Sequence, residues 1–355
     1  MRALIVVAAF AAATARTAFA QRDSGTFQVH DFRFTSGETL PDLHLFYRTL
    51  GKPRRDAAGV VRNAVLILHG TGGTGAQFFA PSFVELYGPG AALDTSTTYI
   101  ILPDDVGHGR SSKPSDGRHA RFPHYGYGDM VALEYRLVTE GLHVTHLRLV
   151  MGTSMGCMHS WLWVERYPDF MDGAVPLACA PTQIAGRNRM FRKMILDDIR
   201  GDAGWQGGDY TTQPPGLRAA LQVLFTLTSS PLQQQRTAPT RDSADAYITR
   251  WLDARFAATD ANDMLYQFDA SRDYDPSADL ERITAPVLAI NSADDVVNPP
   301  ELGLMERLMP RVKAGRYVLI PISPVTRGHG THTVAAAWTQ WFTPFVAQLP
   351  QRPAR

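Results

Sequence analysis

One serine of this chain has the sequence context of a catalytic nucleophile. A glycine lies two positions before it and another lies two positions after it. Residues 152–156 read Gly-Thr-Ser-Met-Gly, and the apolar run 147–151 directly precedes them, while a helical pattern follows. The G-x-S-x-G pattern places a serine on a sharp turn between a strand and a helix, where larger residues at the two glycine positions would clash. We therefore predict that Ser154 is a nucleophile.

A serine hydroxyl needs a general base, and the base needs an acid that orients it. In folds built on this turn, the acid follows the next-to-last strand. The apolar run 286–290 is followed by Asp294 and Asp295. Adjacent residues point in different directions, so only one of the two can be the acid. Pro299, four residues after Asp295, gives a spacing common in such loops. We prefer Asp295 and interpret Asp294 as a hydrogen-bonding loop residue.

The base is expected after the last strand. The last apolar run, 317–320, is followed by His329 and His332. His329 comes directly after Gly328, at a typical distance before the terminal helix, and we prefer it as the base. His332 is the alternative, otherwise a helix-capping or pocket-lining residue. No third ligand is visible near the two histidines, so we predict no metal site.

Acyl chemistry also needs backbone N–H donors for the oxyanion. The residue after the serine, Met155, supplies one, and Thr71, in the glycine-rich loop 69–75, is the best candidate for the other. That loop lacks the lysine of a phosphate-binding loop, and no dinucleotide fingerprint is present. We predict no bound cofactor.

The elements that position these residues alternate along the chain. Short β-branched runs without polar alternation predict parallel strands that are covered on both faces. Helical patterns between them predict a doubly wound α/β fold with a mostly parallel sheet. Residues 27–50 alternate in polarity and predict an antiparallel hairpin at the sheet edge. The predicted strands are residues 64–69, 99–102, 147–151, 173–177, 286–290 and 317–320.

The predicted domain organisation has a core and an insertion. Strand patterns are missing from residues 182–275, which read as amphipathic helices, so we predict a helical lid there. The core is then formed by residues 21–181 and 276–355. Residues 1–20 hold a short apolar run that ends in Ala-Phe-Ala, which predicts a cleaved signal peptide and an exported protein with no membrane span afterwards.

Composition narrows the class of protein. The 355 residues are 45% hydrophobic and 19% charged, with 35 Lys and Arg against 34 Asp and Glu. These values exclude a disordered chain or a coiled coil and predict no nucleic-acid partner. Export would permit a disulfide between Cys157 and Cys179, but their separation cannot be read from the sequence. We expect two small buried thiols.

The sequence resembles the α/β-hydrolase superfamily and, more narrowly, the homoserine O-acetyltransferase family. The resemblance covers nearly the whole predicted mature chain. It is carried by residues 47–51, 63–65, 88–99, 129–131, 152–156 and 260–276. It implies an α/β-hydrolase fold, a triad of Ser154, Asp295 and His329, and a possible homodimer formed through the lid.

The resemblance also implies an arginine in the first lid helix that holds an amino-acid carboxylate. Our alignment puts Leu196 at that position, with Arg189, Arg192 and Lys193 nearby. Acetyl-CoA is cytoplasmic, whereas we predict export. We therefore expect an exported serine hydrolase that cleaves a small-molecule ester through an acyl-serine. The alternatives are an O-acyltransferase that uses an alcohol acceptor and a non-catalytic binding protein.

Overall fold

The computed structural model describes residues 22–353. The predicted signal peptide, residues 1–20, lies outside them. The described chain contains a sheet in the order β1-β2-β4-β3-β5-β6-β7-β8. Strands β3 to β8 run parallel, and β1 and β2 are antiparallel. The strands are β1 (Arg22–Arg33), β2 (Thr39–Leu50), β3 (Ala64–Leu68), β4 (Tyr99–Pro103), β5 (Leu149–Thr153), β6 (Ala174–Leu177), β7 (Val287–Ser292) and β8 (Gly315–Ile320).

The mostly parallel sheet predicted from the sequence is confirmed, because apolar runs without alternation are what a strand covered on both faces requires. Every residue of β3, β4 and β5 is buried. Along β3, Leu66 and Leu68 pack into one apolar layer, and Val65 and Ile67 pack into the layer on the opposite face. Successive side chains of a strand point to opposite faces of the sheet, so β3 contributes side chains to both apolar layers.

The helices cover these two faces and fill the long connection between β6 and β7. Helices α4 to α8 lie in that connection, and we call them the lid helices. The bounds are α1 (Pro81–Val84), α2 (Tyr127–Arg136), α3 (Met155–Arg166), α4 (Gly186–Arg200), α5 (Pro215–Thr228), α6 (Pro231–Thr237), α7 (Arg241–Ala258), α8 (Ala261–Asp269), α9 (Leu304–Leu308) and α10 (Thr339–Gln348). Among residues 22–353, no helix combines the length and apolar character needed to cross a membrane.

The expectation of two free thiols is wrong. Cys157, in the first turn of α3, forms a disulfide with Cys179, two residues after β6. Their Cα atoms lie 5.9 Å apart, within the range that a disulfide spans. The two residues are 22 positions apart in sequence. They meet because β5 and β6 are neighbours in the sheet, a contact that no local pattern encodes.

Candidate active site

The turn at Ser154 has the geometry that the motif predicts. Ser154 directly precedes α3 and has φ 56° and ψ −108°, a left-handed conformation that is costly for a residue with a side chain. A Cβ on Gly152 would overlap the carbonyl of Gly156, and a Cβ on Gly156 would overlap the carbonyl of Leu68. Both glycines are therefore required for α3 to leave the end of β5 so closely against β3.

Three side chains from distant parts of the chain form a hydrogen-bonded series. The hydroxyl of Ser154 lies 2.8 Å from Nε2 of His329. Nδ1 of His329 lies 2.8 Å from Oδ2 of Asp295. With the proton on Nδ1, the imidazole donates to the carboxylate, and Nε2 is free to accept the serine proton. This arrangement can take a proton from a hydroxyl and hold the resulting imidazolium beside a negative charge.

Asp295 is ionised although it is buried. Burial by itself raises the pKa of its carboxyl, but the charge of His329 and the hydrogen bonds that the carboxyl accepts outweigh burial and lower the pKa. The donors besides His329 are the amide of Val297 at 2.8 Å and Asn298, through its side chain at 3.0 Å and its amide at 3.3 Å. These donors hold the carboxylate in the orientation that faces the imidazole.

The two alternative residues lie beside this series and take no part in it. Asp294 accepts a hydrogen bond from the amide of Gly328 at 2.8 Å. The ring of His332 lies 5.0 Å from the ring of His329, and neither of its nitrogens has a partner in the described chain. Burial, followed by the charge of His329, lowers the pKa of His332 to about 3, so this ring is neutral at physiological pH.

The two predicted oxyanion donors belong to segments next to Ser154. Met155 is the first residue of α3, so its N–H has no acceptor within the helix. Thr71 follows Gly70, at which a Cβ would lie 3.4 Å from Cβ of Ser154. The loop after β3 therefore approaches the serine to van der Waals distance.

Two cavities meet at the serine. The larger has a volume of about 550 Å³ and lies between the loop after β3 and the lid helices. The smaller, of about 70 Å³, lies between the segment after β6, the first turns of α4 and the loop after β7. Ser154, Arg192, Val297 and His329 line both. The apolar wall of the larger cavity is formed by Leu221, Leu224, Leu227, Trp251, Met264 and Phe268.

Arg192, which the sequence analysis noted only as a neighbour of Leu196, is a buried residue of the pocket. Leu196, put at the arginine position from the sequence, is buried in the core and does not line either cavity. Arg192, one helical turn earlier on α4, is only 4% exposed and lines both. Its guanidinium donates to Asn188 and Ser271, and it forms no ion pair with a carboxylate in residues 22–353.

A second group of buried polar residues was not predicted. Asp105, Glu134 and His159 offer ligand atoms that lie within 4.8 Å of one another. However, Oε1 of Glu134 is 2.6 Å from Nδ1 of His159. Two tetrahedral ligands of one zinc ion lie roughly 3.4 Å apart, so this contact is a hydrogen bond and does not fit a metal centre.

Known proteins share this architecture. A family profile described as alpha/beta hydrolase fold matches residues 63–318. A probable acyltransferase of Methanothermobacter thermautotrophicus is 29% identical over 290 residues, which cover 81% of this chain and 88% of the relative. A probable esterase of Corynebacterium glutamicum is 26% identical over 302 residues, which cover 80% and 84%. The crystal structure of a homoserine O-acetyltransferase from Bacillus anthracis has a TM-score of 0.80 at 20% identity, over 94% of this chain and 99% of that chain.

The solved structure agrees in fold, and the sequence relatives agree in the class of chemistry. The resemblance inferred from the sequence is thereby confirmed. Hydrolysis or transfer of an acyl group is the activity that the relatives support. The chain belongs to the alpha/beta hydrolase family and is an enzyme of its esterase and acyltransferase branch.

Proposed function

We propose that this protein is an exported serine esterase that cleaves a small acyl ester through an acyl-serine intermediate. The observation that carries the proposal is the hydrogen-bonded series Ser154–His329–Asp295 at the wall of the 550 Å³ cavity. Nucleophile, base and orienting acid are all within hydrogen-bond distance before any substrate is present, as this chemistry requires.

In the proposed reaction, His329 takes the proton of Ser154 as its oxygen attacks the ester carbonyl. Asp295 holds the imidazole with Nδ1 protonated and stabilises the imidazolium. The amides of Thr71 and Met155 donate to the oxyanion. His329 then gives its proton to the leaving alcohol, and water resolves the acyl-serine by the same steps. The small cavity beside Ser154 suits a short acyl group, and the larger cavity suits the alcohol.

The test is turnover of p-nitrophenyl acetate by residues 21–355 and by the Ser154→Ala variant. We expect the variant to lose activity by on the order of 10⁴ to 10⁶, with unchanged thermal stability or a small gain. A fluorophosphonate probe should label the wild type, with the adduct mapped to Ser154 by mass spectrometry. Near-wild-type turnover in Ser154→Ala, or a folded protein that does not react with the probe, would contradict the proposal and favour a binding protein.

Acyl transfer to an alcohol that carries a carboxylate is the second candidate. Arg192 favours it, because a buried guanidinium without a carboxylate partner has an unmet electrostatic demand. Product analysis with alcohols that differ only by a carboxylate tests it. We expect acylated product from the carboxylate-bearing alcohol in the wild type and its loss in Arg192→Gln. The matched control is Lys193→Gln, one residue along α4, whose exposed ammonium pairs with Asp197. Free acetate as the only product would leave hydrolysis as the function.

Export is supported by the leader pattern of residues 1–20 and by the disulfide Cys157–Cys179, since disulfides persist in oxidising compartments. The test is fractionation of cells that express the full chain, with N-terminal sequencing of the product. We expect an exported protein that begins at Gln21. A cytoplasmic protein that retains residues 1–20 would contradict export and leave the esterase proposal intact.

A further inference from the structure

The orientation of one peptide group determines whether Thr71 can donate to an oxyanion. The carbonyl of Gly70 belongs to the same peptide plane as the N–H of Thr71. It accepts hydrogen bonds from Nδ1 of His69 at 2.9 Å and from the amide of Gly73 at 2.9 Å. Since a trans peptide is planar and its C=O and N–H point in opposite directions, these bonds fix the direction of the Thr71 N–H.

His69 can hold the carbonyl only in one tautomer. Its Nε2 lies 3.1 Å from the backbone amide of Asp105, which donates to it. Nε2 must therefore be the unprotonated nitrogen, and the proton resides on Nδ1, where it is donated to Gly70. The His69 ring is fully buried, so no solvent donor or acceptor competes for either nitrogen.

The carboxyl of Asp105 lies against the same ring. Its Oδ2 is 3.6 Å from Nε2 of His69 and 3.7 Å from Nδ1 of His159. Neither oxygen of Asp105 has a donor among the described residues. The neighbouring Glu134 is well supplied, since it accepts from Nδ1 of His159 and from Nε1 of Trp163, both at 2.6 Å.

A proton shared between the two acids satisfies this geometry, since a carboxyl oxygen of Asp105 and one of Glu134 lie within 4.8 Å of each other. As two anions, Asp105 and Glu134 would repel each other in a buried site, at high cost. If Asp105 is protonated and Glu134 is ionised, Asp105 can donate a hydrogen bond to Glu134. This bond gives the carboxyl of Asp105 the partner that it otherwise lacks. Burial, followed by the charge of Glu134, raises the pKa of Asp105 to about 8. Burial also raises the pKa of Glu134, to about 7, so Asp105 is the acid that keeps the proton to the higher pH. The charged and titratable groups that face the pair, or a direct neighbour of it, are His69, His108, Tyr125, Tyr127, His159, Arg166 and Asp273.

We propose that Asp105 and Glu134 share one buried proton and act, through His69, as positioning residues for the oxyanion donor Thr71. The inference rests on the proposed function, because it assigns a role to the oxyanion donor of that reaction. Loss of the shared proton places a full negative charge 3.6 Å from Nε2 of His69. This charge favours the neutral tautomer with the ring proton on Nε2 instead of Nδ1. Nε2–H would then face the amide of Asp105, donor against donor, and the hold on the Gly70 carbonyl would weaken.

The expected consequence is a fall in kcat at alkaline pH with little change in KM, because an oxyanion donor acts mainly in the transition state. The experiment measures both constants from pH 6 to 10 for the wild type, Asp105→Asn and the exposed-carboxyl control Asp42→Asn. The Ser154→Ala rate at each pH is subtracted as background.

We expect kcat of the wild type and of Asp42→Asn to fall by about tenfold or more, with a midpoint near pH 8. Complete loss of an oxyanion donor lowers kcat by about 10²- to 10³-fold, and a weakened donor should show part of that effect. Asp105→Asn cannot ionise, and its amide can donate to Glu134. We expect it to keep kcat within about threefold of wild type at pH 7 and to lack the alkaline fall. Asp105→Ala should have a lower kcat than the wild type at every pH, because alanine cannot donate to Glu134. Asparagine, which can donate, should retain the activity that alanine loses. Matching alkaline profiles in wild type and Asp105→Asn would overturn the inference.

A measurement on the wild type keeps the test decisive if a variant fails to fold. We expect infrared difference spectra to show a protonated carboxylic acid at pH 7 that ionises by pH 10, and absence of that band would overturn the inference. The two proposals fail in different ways. Activity that persists in Ser154→Ala removes the proposed function, whereas Ser154-dependent activity with identical profiles in wild type and Asp105→Asn removes only the shared proton.

Discussion

The carboxylate of Asp294 accepts a hydrogen bond from the amide of Gly328 at 2.8 Å, and this bond joins the loop after β7 to the loop that carries His329. A second bond, from the hydroxyl of Ser292, holds the other oxygen of the carboxylate. Gly328 has φ 59°, a conformation that suits glycine. Of the two adjacent aspartates, Asp295 thus orients the ring of His329, and Asp294 fixes the backbone next to it.

Loss of the hydrogen bond between Asp294 and Gly328 should slow the reaction without abolishing it. We expect Asp294→Ala to lower kcat by about 10- to 100-fold, because a shift of about 1 Å in His329 is enough for such a loss. Asp295→Asn should cost more, on the order of 10⁴, since it removes the acid that orients His329. Steady-state kinetics of the two variants on one ester provide the comparison. An equal or greater loss in Asp294→Ala would reverse the roles assigned to the two residues.

Ser154 stores backbone strain that glycine would not have. Because its φ is 56°, we expect Ser154→Gly to be more stable than Ser154→Ala by about 1 kcal/mol, after the greater flexibility of glycine in the unfolded chain is allowed for. Urea unfolding of the two inactive variants measures the difference. If Ser154→Ala proved the more stable variant, the strained turn would not exist in solution.

The disulfide should contribute to stability through the unfolded chain. For a closed loop of about this length, chain entropy gives a contribution of about 3 kcal/mol, with the 22-residue separation of Cys157 and Cys179 as the input. We expect the double variant Cys157→Ala/Cys179→Ala to have a lower Tm. Reduced wild type serves as the control and should match it. Two free thiols in the native protein by thiol titration, or a Tm insensitive to reductant, would argue against the pairing.

The buried carboxyl of Asp105 should make stability fall as pH rises. Its pKa is about 8 in the folded protein and about 3.8 in the unfolded chain. Between these values the folded state binds a proton that the unfolded state has released, so the free energy of unfolding decreases with rising pH. Comparison of urea midpoints of wild type and Asp105→Asn at pH 5 and pH 8 should show a larger decrease for the wild type. Parallel decreases in the two proteins would mean that Asp105 is ionised when folded.

Features that depend on neighbours in the chain were accessible from the sequence. The strands β3 to β8 were predictable because burial on both faces demands continuous apolar runs. The turn at Ser154 was predictable because its glycines are required by contacts within five residues and by the strand beneath it. The order of serine, aspartate and histidine along the chain followed from the same architecture.

The sequence favoured Asp295 and His329 by spacing, but what each adjacent or nearby candidate contacts is visible only in the tertiary structure. Asp294 and Asp295 are chemically identical, and their roles differ because the loop after β7 directs one towards His329 and the other towards Gly328. The same holds for Arg192 and Leu196, one helical turn apart on α4, of which only the arginine reaches the cavities.

Contacts across the fold left no local signal. The disulfide joins α3 to the segment after β6, and the shared proton joins the segment after β4 to α2. Composition and spacing determine which elements form, because hydrophobic burial and turn sterics act over a few residues. Which polar groups meet in the interior depends on how those elements pack, and for Cys157, Arg192 and Asp105 the packing alone decided the outcome.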